Sequence, residues 1–327
     1  MTLSSSTENR QNLTFRKRVQ TLIPWIGTTA LLLWLISSHD MIAVGDALMQ
    51  ANLGGLALLW VLSIGLTFVT DAAGLWLAFS RLNGPLQFLA MLRIKGISYF
   101  LNIVNYAAAS GGIAWLVSKR ASYPLTGTAS SILFLNVVDL LVLNVFVSVG
   151  LGIEYLGGHS VSLLPSQAQT TLIWVNVIIY GLYFGSMAYW NLGLDFLVLG
   201  RLRTWRIFSA FSRATLRTHV VLFAARFVLL SLYIAMQYIV VHMFHIDATI
   251  GAVMVINTVV TLVQTVPISV AGFGTVQVAM LELYAPYGTD SAILAYSTAS
   301  LVVFILLRAA IGYICLMSDS ARSKTIV

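Results

Sequence analysis

The apolar stretch TVPISVAGFGTVQVAM contains residues that break helices and residues that can contact an anion. Pro267, Gly272 and Gly274 disrupt helical backbone, while Ser269 and Gln277 add polar side chains. Irregular backbone at membrane depth is tolerated only where protein buries it or where it lines a water-filled cavity. Helix ends formed there would direct backbone N–H groups at an anionic group such as a phosphate. We therefore predict a re-entrant segment that lines a polar interior.

A second stretch with the same character, YAAASGGIAW, lies in the first half of the chain. Ser110, Gly111 and Gly112 interrupt an apolar run there, and glycine permits tight turns and close backbone approach. We expect 106–113 and 267–277 to meet in the interior and to line a path for a substrate. The alternative is that each stretch is a kinked helix packed on small residues, which are common at helix contacts in membranes.

Four ionisable residues lie inside apolar runs, where charge is costly and usually faces an interior or a cavity: Asp71, Asp139, Arg226 and Arg308. Arg226 is about two turns from a basic surface, so we expect it to extend to that surface. Asp71, near the same surface, is expected to be hydrated. Asp139 and Arg308 lie deeper, in the runs that follow the two broken stretches. The sequence leaves open whether these two residues pair or serve the function separately.

Four further cations flank the first broken stretch. Arg93 and Lys95 interrupt the run LQFLAMLRIKGISYF, and Lys119 and Arg120 follow the stretch itself. A lysine supplies a point charge and an arginine supplies a planar fork that fits phosphate. The four residues are therefore interpreted as a basic vestibule that attracts a lipid phosphate, or alternatively as anchors that only set the topology.

The composition decides the class of protein. Hydrophobic residues make up 59% of the 327 positions and charged residues only 9%, whereas soluble domains are roughly 25% charged. Apolar runs long enough to cross about 30 Å of hydrocarbon recur along the chain. We predict an all-α polytopic membrane protein with about eight transmembrane helices and two re-entrant segments. The predicted spans are 22–38, 53–79, 86–105, 125–153, 168–190, 220–242, 247–266 and 288–317.

The positions of the basic residues predict the orientation. The connections 39–52, 154–167 and 242–247 contain acidic residues and histidines but no lysine or arginine. Lysine and arginine mark the cytoplasmic side, so both termini are expected in the cytoplasm of a plasma (bacterial inner) membrane. The net charge of +7 is therefore read as a topology signal and not as a nucleic-acid site.

We divide the chain into a cytoplasmic basic N-terminus, 1–21, and a single transmembrane domain, 22–327. The basic linker 200–219 places arginines among large apolar residues, which predicts an amphipathic helix on the inner surface. It serves either as a positive-inside connection or as a site for an anionic lipid.

The two halves of the domain, about 86–153 and 247–317, resemble each other. GTASSIL and GTDSAIL agree at five of seven positions with an offset of 161 residues. Since the predicted orientation starts these two helices on opposite sides, the halves would be inverted. Inverted repeats with broken helices at their interface are a transporter architecture.

The same stretches resemble the lysylphosphatidylglycerol synthase transmembrane family, a flippase-like membrane domain. Its second-half motif is matched by Pro267, Ser269, Gly272, Gly274 and Arg308, whereas Ala271 and Gln277 replace a usual proline and glutamate. Its first-half motif is matched more loosely by Gly111, Gly112, Lys119, Arg120 and Asp139, with Ile113 at a glutamate position and Leu135 and Asn136 in place of a Glu–Arg pair. The missing acids weaken any mechanism based on carboxylates in the re-entrant segments.

The resemblance implies movement of a lipid between leaflets. An anionic phospholipid, a hopanoid and an isoprenoid-linked lipid all remain open as substrates, and homo-oligomers remain open as well. Because the chain stops at Val327, we expect no fused synthase domain. No catalytic set, cofactor motif or metal-ligand cluster is recognised, so we expect no enzyme, no cofactor and no metal. The rival interpretation is a non-transporting partner that docks or regulates a lipid-modifying enzyme through the basic linker.

Overall fold

The computed structural model describes residues 28–104, 106–157, 166–192, 203–265 and 272–323. Within these ranges the regular structure is helical throughout. The helices are α1 (Thr28–Ser38), α2 (Met41–Gln50), α3 (Leu53–Leu82), α4 (Phe88–Val104), α5 (Tyr106–Ala121), α6 (Leu125–Leu156), α7 (Ser166–Leu192), α8 (Ser209–Arg213), α9 (Leu216–Met243), α10 (Ile250–Thr265), α11 (Thr275–Tyr284) and α12 (Asp290–Ser323).

The long helices confirm a polytopic α-helical membrane protein. Among the described residues, α3, α6, α7, α9 and α12 are each long and apolar enough to cross a membrane. The pair α1 and α2, bent by 87°, also qualifies if it is taken as one broken span. Two of the predicted spans, 86–105 and 247–266, are the shorter helices α4 and α10, of 17 and 16 residues. At 1.5 Å per residue each reaches only about 25 Å.

The first short helix, α4, forms a hairpin with α5. The two helices are separated by one position in the sequence and pack side by side. A Cβ atom on Gly112 would lie only 2.1 Å from Leu101 Cδ1, so glycine allows the two helices to approach closely. Helix α5 continues through both Gly111 and Gly112, so neither glycine interrupts the helix. Gly112 thus acts on packing and not on the course of the backbone, whereas nothing lies within 4 Å of the Cβ position of Gly111.

The second short helix forms a matching hairpin with α11. Asn257 Nδ2 of α10 donates a hydrogen bond to Tyr284 Oη of α11 at 3.0 Å. The chain enters α11 through Gly272 and Gly274, whose φ angles of +83° and +85° lie in the left-handed region that favours glycine. Gly274 also packs against Leu31 of α1, where a Cβ atom would lie 2.5 Å from Leu31 Cβ.

The hairpins lie at opposite ends of the bundle. Each hairpin follows a long helix, α3 or α9, and these two helices are antiparallel. Gly55 near the start of α3 lies next to Met243 at the end of α9, and Arg213, just before α9, donates to the carbonyl of Leu82 at 3.0 Å. We call the end at Leu82 and Arg213 the basic end and the end at Gly55 and Met243 the acidic end. Hairpin α4–α5 packs in an apolar core at the basic end, and hairpin α10–α11 packs in a second core at the acidic end.

The basic linker is not the amphipathic helix predicted over 200–219. Its described part contains a 3₁₀ turn at Arg206–Phe208 and the short helix α8, and α9 begins separately at Leu216. Ala210 donates its backbone N–H to Ser130 Oγ of α6 at 2.8 Å, which anchors the linker to the bundle. Thr215 is the N-cap of α9, where its side chain accepts the backbone N–H of Thr218, so α9 begins as a new helix and does not continue α8. The prediction failed because tertiary contacts and a new helix start interrupt the periodic pattern.

The offset of 161 residues relates helices as well as sequence. Adding 161 to the bounds of α3 gives 214–243, and α9 is Leu216–Met243. Adding it to α4 gives 249–265, and α10 is Ile250–Thr265. Two sets of four helices, α3–α6 and α9–α12, therefore have the same order of long helix, hairpin and long helix.

The two sets meet closely where α6 crosses α10 at the acidic end. A Cβ atom on Gly150 would lie 2.7 Å from the backbone oxygen of Gly251. Nearby, the buried Glu154 accepts hydrogen bonds from Thr249 Oγ1 and, at 3.1 Å, from the backbone N–H of Ala252. The carboxylate of α6 thus satisfies the first turn of α10.

We expect Gly150→Ala to lower the thermal unfolding temperature of the detergent-solubilised protein. The added methyl meets backbone and forces α6 and α10 apart, and such overpacking costs about 1–3 kcal/mol. Gly152→Ala, in the same helix with nothing within 4 Å of its Cβ position, is the matched control and should not destabilise. An equal unfolding temperature for the two variants would contradict this account of the crossing.

Candidate functional site

Four ionisable side chains from four helices meet inside the bundle, in the half nearer the basic end. Arg226 of α9 contacts two carboxylates. Its Nη1 lies 2.5 Å from Asp71 Oδ1 of α3, and its Nε lies 2.7 Å from Asp139 Oδ1 of α6. Lys95 of α4 completes the network with an ion pair to Asp71. We call Asp71, Lys95, Asp139 and Arg226 the ion network.

The network is held in an interior and not at the surface. The Arg226 side chain is 8% exposed and the Lys95 side chain 15%. Gly74 of α3 leaves room for Arg226, because a Cβ atom there would lie 3.3 Å from Arg226 Cδ. The expectations that Arg226 extends to the membrane surface and that Asp71 is merely hydrated are both wrong. Buried charges must be paired to be tolerated, and here each charge has an opposite neighbour.

Arg308 lies near the middle of α12 and is held differently. Its guanidinium carbon lies 5.4 Å from the centre of the Tyr99 ring and 5.5 Å from the centre of the Phe304 ring. Lys95 Nζ lies 5.3 Å from the same Tyr99 ring. Among the described residues no carboxylate pairs with Arg308. The question of an Asp139–Arg308 pair is thereby answered, since Asp139 pairs with Arg226.

A second buried polar cluster joins α9 to the acidic-end hairpin and α12. Gln237 Nε2 donates to Tyr296 Oη at 3.0 Å and to Tyr233 Oη at 3.3 Å. Asn257 Nδ2 donates to Tyr284 Oη, and the rings of Tyr284 and Tyr296 are 6.0 Å apart in an edge-to-face arrangement. These side chains carry no formal charge. They satisfy one another inside an apolar core, as buried polar groups must.

The other predicted site residues are distributed around this interior. Gly111, Lys119 and Arg120 are exposed on α5 and Ser110 is partly buried there, while Lys95 contacts Asp71. Arg93 lies on α4 near Cys315 of α12. Gln277 is buried, and its Oε1 accepts the backbone N–H of Gly274 at 2.8 Å, which caps α11. Pro267 and Ser269 lie outside the described residues. The network thus gathers Lys95 and Asp139 of the predicted set.

Sequence reasoning missed the role of Arg226 and the tyrosine–amide cluster. A signal for the cluster was present, because Gln237 and Asn257 are polar residues inside apolar runs, where polar side chains usually serve contacts between helices. No comparable signal in the sequence indicated which residues pair with Arg226. Asp71 and Asp139 are 155 and 87 positions away in the chain.

Comparison with known families agrees with this architecture. The family model described as "Lysylphosphatidylglycerol synthase TM region" matches residues 22–316, which is nearly the whole chain. The chain belongs to this family. A search of curated proteins found no match. Membership in the lysylphosphatidylglycerol synthase TM family relates the protein to lipid handling in membranes, and the matched range includes both hairpins and the ion network.

We expect Arg226→Met to destabilise the protein more than Lys95→Met. Removing Arg226 leaves two carboxylates without their shared cation, and breaking a buried pair costs about 3–5 kcal/mol. Removing Lys95 leaves Asp71 still paired with Arg226, so the loss should be smaller. Thermal unfolding of the purified variants in detergent measures the order.

Arg217→Met is the control for this comparison, because Arg217 is exposed at the start of the same helix as Arg226. Surface substitutions usually change stability by no more than about 0.5 kcal/mol. If Arg226→Met is as stable as Arg217→Met, the ion network does not hold the bundle together.

Proposed function

We propose that this protein moves a lipid with an anionic head group between the two leaflets of a membrane. The observation that carries the proposal is Arg308, a cation near the middle of α12 that is paired with no carboxylate among the described residues. A charge at that depth is costly, and such residues usually mark substrate pathways. The family relationship to lipid handling supports the same conclusion.

The charge of the interior favours an anionic head group over a neutral one. Lys95, Arg226 and Arg308 contribute three positive charges, while Asp71 and Asp139 contribute two negative charges. The sum is +1, so one phosphate monoanion would neutralise the site. The two aromatic rings against Arg308 hold its guanidinium in place, and its planar fork suits a phosphate.

We infer that the two sets of helices form an inverted repeat and that their hairpins gate the path. The antiparallel arrangement of α3 and α9 supports this, as does the common offset of 161 residues between α3–α4 and α9–α10. In transporters built this way, one set rocks against the other around a site near the midplane. The head group would pass between the hairpins while the acyl chains stay in the bilayer.

We also propose that the basic end faces the cytoplasm, with both termini on that side of a plasma membrane. Arg81, Lys119, Arg213 and Arg217 all lie at helix ends there. Within the described residues, the connections at the acidic end contain no lysine or arginine. Excess lysine and arginine in short connections marks the cytoplasmic side.

A second candidate is a non-catalytic partner that positions a lipid-modifying enzyme. The observation in its favour is the exposed part of the linker, where Trp205, Arg206 and Arg217 face outwards. This role needs no unpaired cation in the interior. The docking role therefore leaves the presence of Arg308 inside the bundle unexplained.

We expect Arg308→Gln to slow lipid movement by about tenfold or more in vesicles that contain only the purified protein. The substitution removes a charge-assisted hydrogen bond to phosphate, worth about 1.5–3 kcal/mol. Arg308→Lys keeps the charge and should retain part of the activity. The measurement is the rate at which labelled phosphatidylglycerol in the inner leaflet becomes accessible to an impermeant reductant.

Arg81→Gln is the matched control, since Arg81 is exposed in the last turn of α3. It removes the same charge outside the interior and should leave the rate unchanged. Folded wild-type protein that moves no lipid would overturn the proposal and favour the docking role. A rate equally reduced by Arg81→Gln and Arg308→Gln would reject the interior site.

A further inference from the structure

We propose that Asp139 binds a proton that crosses the membrane together with the anionic head group, so that a proton gradient drives transport. This inference rests on the proposed function and adds an energy source to it. It follows from the unequal pairing of the two carboxylates in the ion network.

Asp71 is the firmly paired carboxylate. It contacts two cations from two helices, Lys95 of α4 and Arg226 of α9. If Asp71 were neutralised, Lys95 would lose the carboxylate that it contacts. Asp71 is therefore poorly suited to gain and lose a proton during a transport cycle.

Asp139 is the carboxylate that can be neutralised with least disruption. Its contacts in the network are both to one cation, with Arg226 Nε at 2.7 Å and Nη2 at 2.9 Å. Arg226 would keep Asp71 as a partner after Asp139 gained a proton. The Asp139 side chain is also more exposed than that of Asp71, at 28% against 19%, so it is the more accessible of the two carboxylates to an incoming proton.

The charged groups around Asp139 come from few directions. α9 contributes Arg226, α3 contributes Asp71, and Lys95 of α4 lies one step further away. The described helices α7 and α10, which also pack on α6, contain no charged residue. Two tyrosines of α7 have other partners, since Tyr180 hydrogen-bonds to Ser148 and Tyr183 to His219. Helix α5 and the linker also pack on α6, and their cations lie at the basic end: Lys119, Arg120, Arg206 and Arg213.

Charge balance links the proton to the lipid. A proton on Asp139 raises the interior charge from +1 to +2, which strengthens the binding of an anion. By reciprocity, a bound anion favours the protonated form of Asp139. The species that crosses then contains one proton and one monoanionic head group, which together carry no net charge. Transport should therefore respond to a pH difference and be insensitive to membrane potential.

The experiment measures the steady-state distribution of labelled phosphatidylglycerol in vesicles of the purified wild-type protein. A pH difference of one unit is imposed, and potassium with valinomycin holds the membrane potential at zero. With one proton per lipid, the label should accumulate up to about tenfold in the leaflet facing the more alkaline compartment. Protein-free vesicles provide the background.

Two variants separate coupling from movement. Asp139→Asn imitates the protonated form and can no longer gain or lose a proton, so the label that it moves should reach a leaflet ratio near one under the gradient. Asp46→Asn removes an exposed carboxylate of α2 and should behave as wild type. Gradient-driven accumulation by Asp139→Asn equal to that of wild type would overturn the inference.

The outcomes also separate this inference from the proposed function. Wild-type protein that equilibrates lipid but ignores the pH gradient overturns proton coupling and leaves lipid transport standing. Wild-type protein that moves no lipid at any pH overturns the transport proposal itself.

A second measurement uses wild-type protein alone and does not depend on a folded variant. Adding phosphatidylglycerol to the protein in weakly buffered detergent should raise the pH as protons are taken up, reported by an indicator dye. Phosphatidylcholine, which carries no net charge, should cause no uptake. An equal response to both lipids, or to neither, would contradict the link between proton and anion.

Discussion

The guanidinium of Arg226 is the group on which the interior of this protein depends. A buried cation must be paired, and Arg226 takes its two partners from α3 and α6 while it projects from α9. Asp71 in turn pairs with Lys95 of α4. Helices α3, α4, α6 and α9 are thus tied at one point, and α4 is the first limb of the basic-end hairpin. A membrane offers little hydrophobic drive for helix association, so polar contacts and close packing hold the helices together.

The two hairpins are held in place by different chemistry. The basic-end hairpin is attached through an ion pair of Lys95 with Asp71. The acidic-end hairpin is attached through hydrogen bonds, from Gln237 Nε2 of α9 to Asn257 Oδ1 at 3.5 Å and from the backbone N–H of Ala252 to Glu154 Oε1 of α6 at 3.1 Å. The offset of 161 residues shows the same asymmetry, because it carries Lys95 onto Ile256 and Asp139 onto Ser300. Similar backbones in the two halves therefore carry different interiors. An ionic contact responds to charge nearby, and a hydrogen-bonded tyrosine–amide cluster responds far less.

Small residues set the close contacts around these polar groups. Gly74 makes room for Arg226, Gly112 lets α5 approach α4, and Gly150 lets α6 cross α10. Gly272 and Gly274 are needed for their backbone conformation, since both have positive φ angles. Glycine thus allows close contacts at the first three positions and permits the turn into α11 at the other two.

The sequence by itself determined that this is a polytopic helical membrane protein of the lysylphosphatidylglycerol synthase TM family, and it predicted the break near Gly272 and Gly274. Span length, apolar composition and helix-breaking residues are local properties, so a single sequence reports them. It could not determine that α5 runs unbroken through Gly111 and Gly112, because a helical glycine and a turn glycine look alike in sequence. Nor could it pair Arg226 with Asp71 and Asp139 instead of leaving it at the surface. Contacts between distant residues depend on how helices cross, and only the tertiary structure decides that.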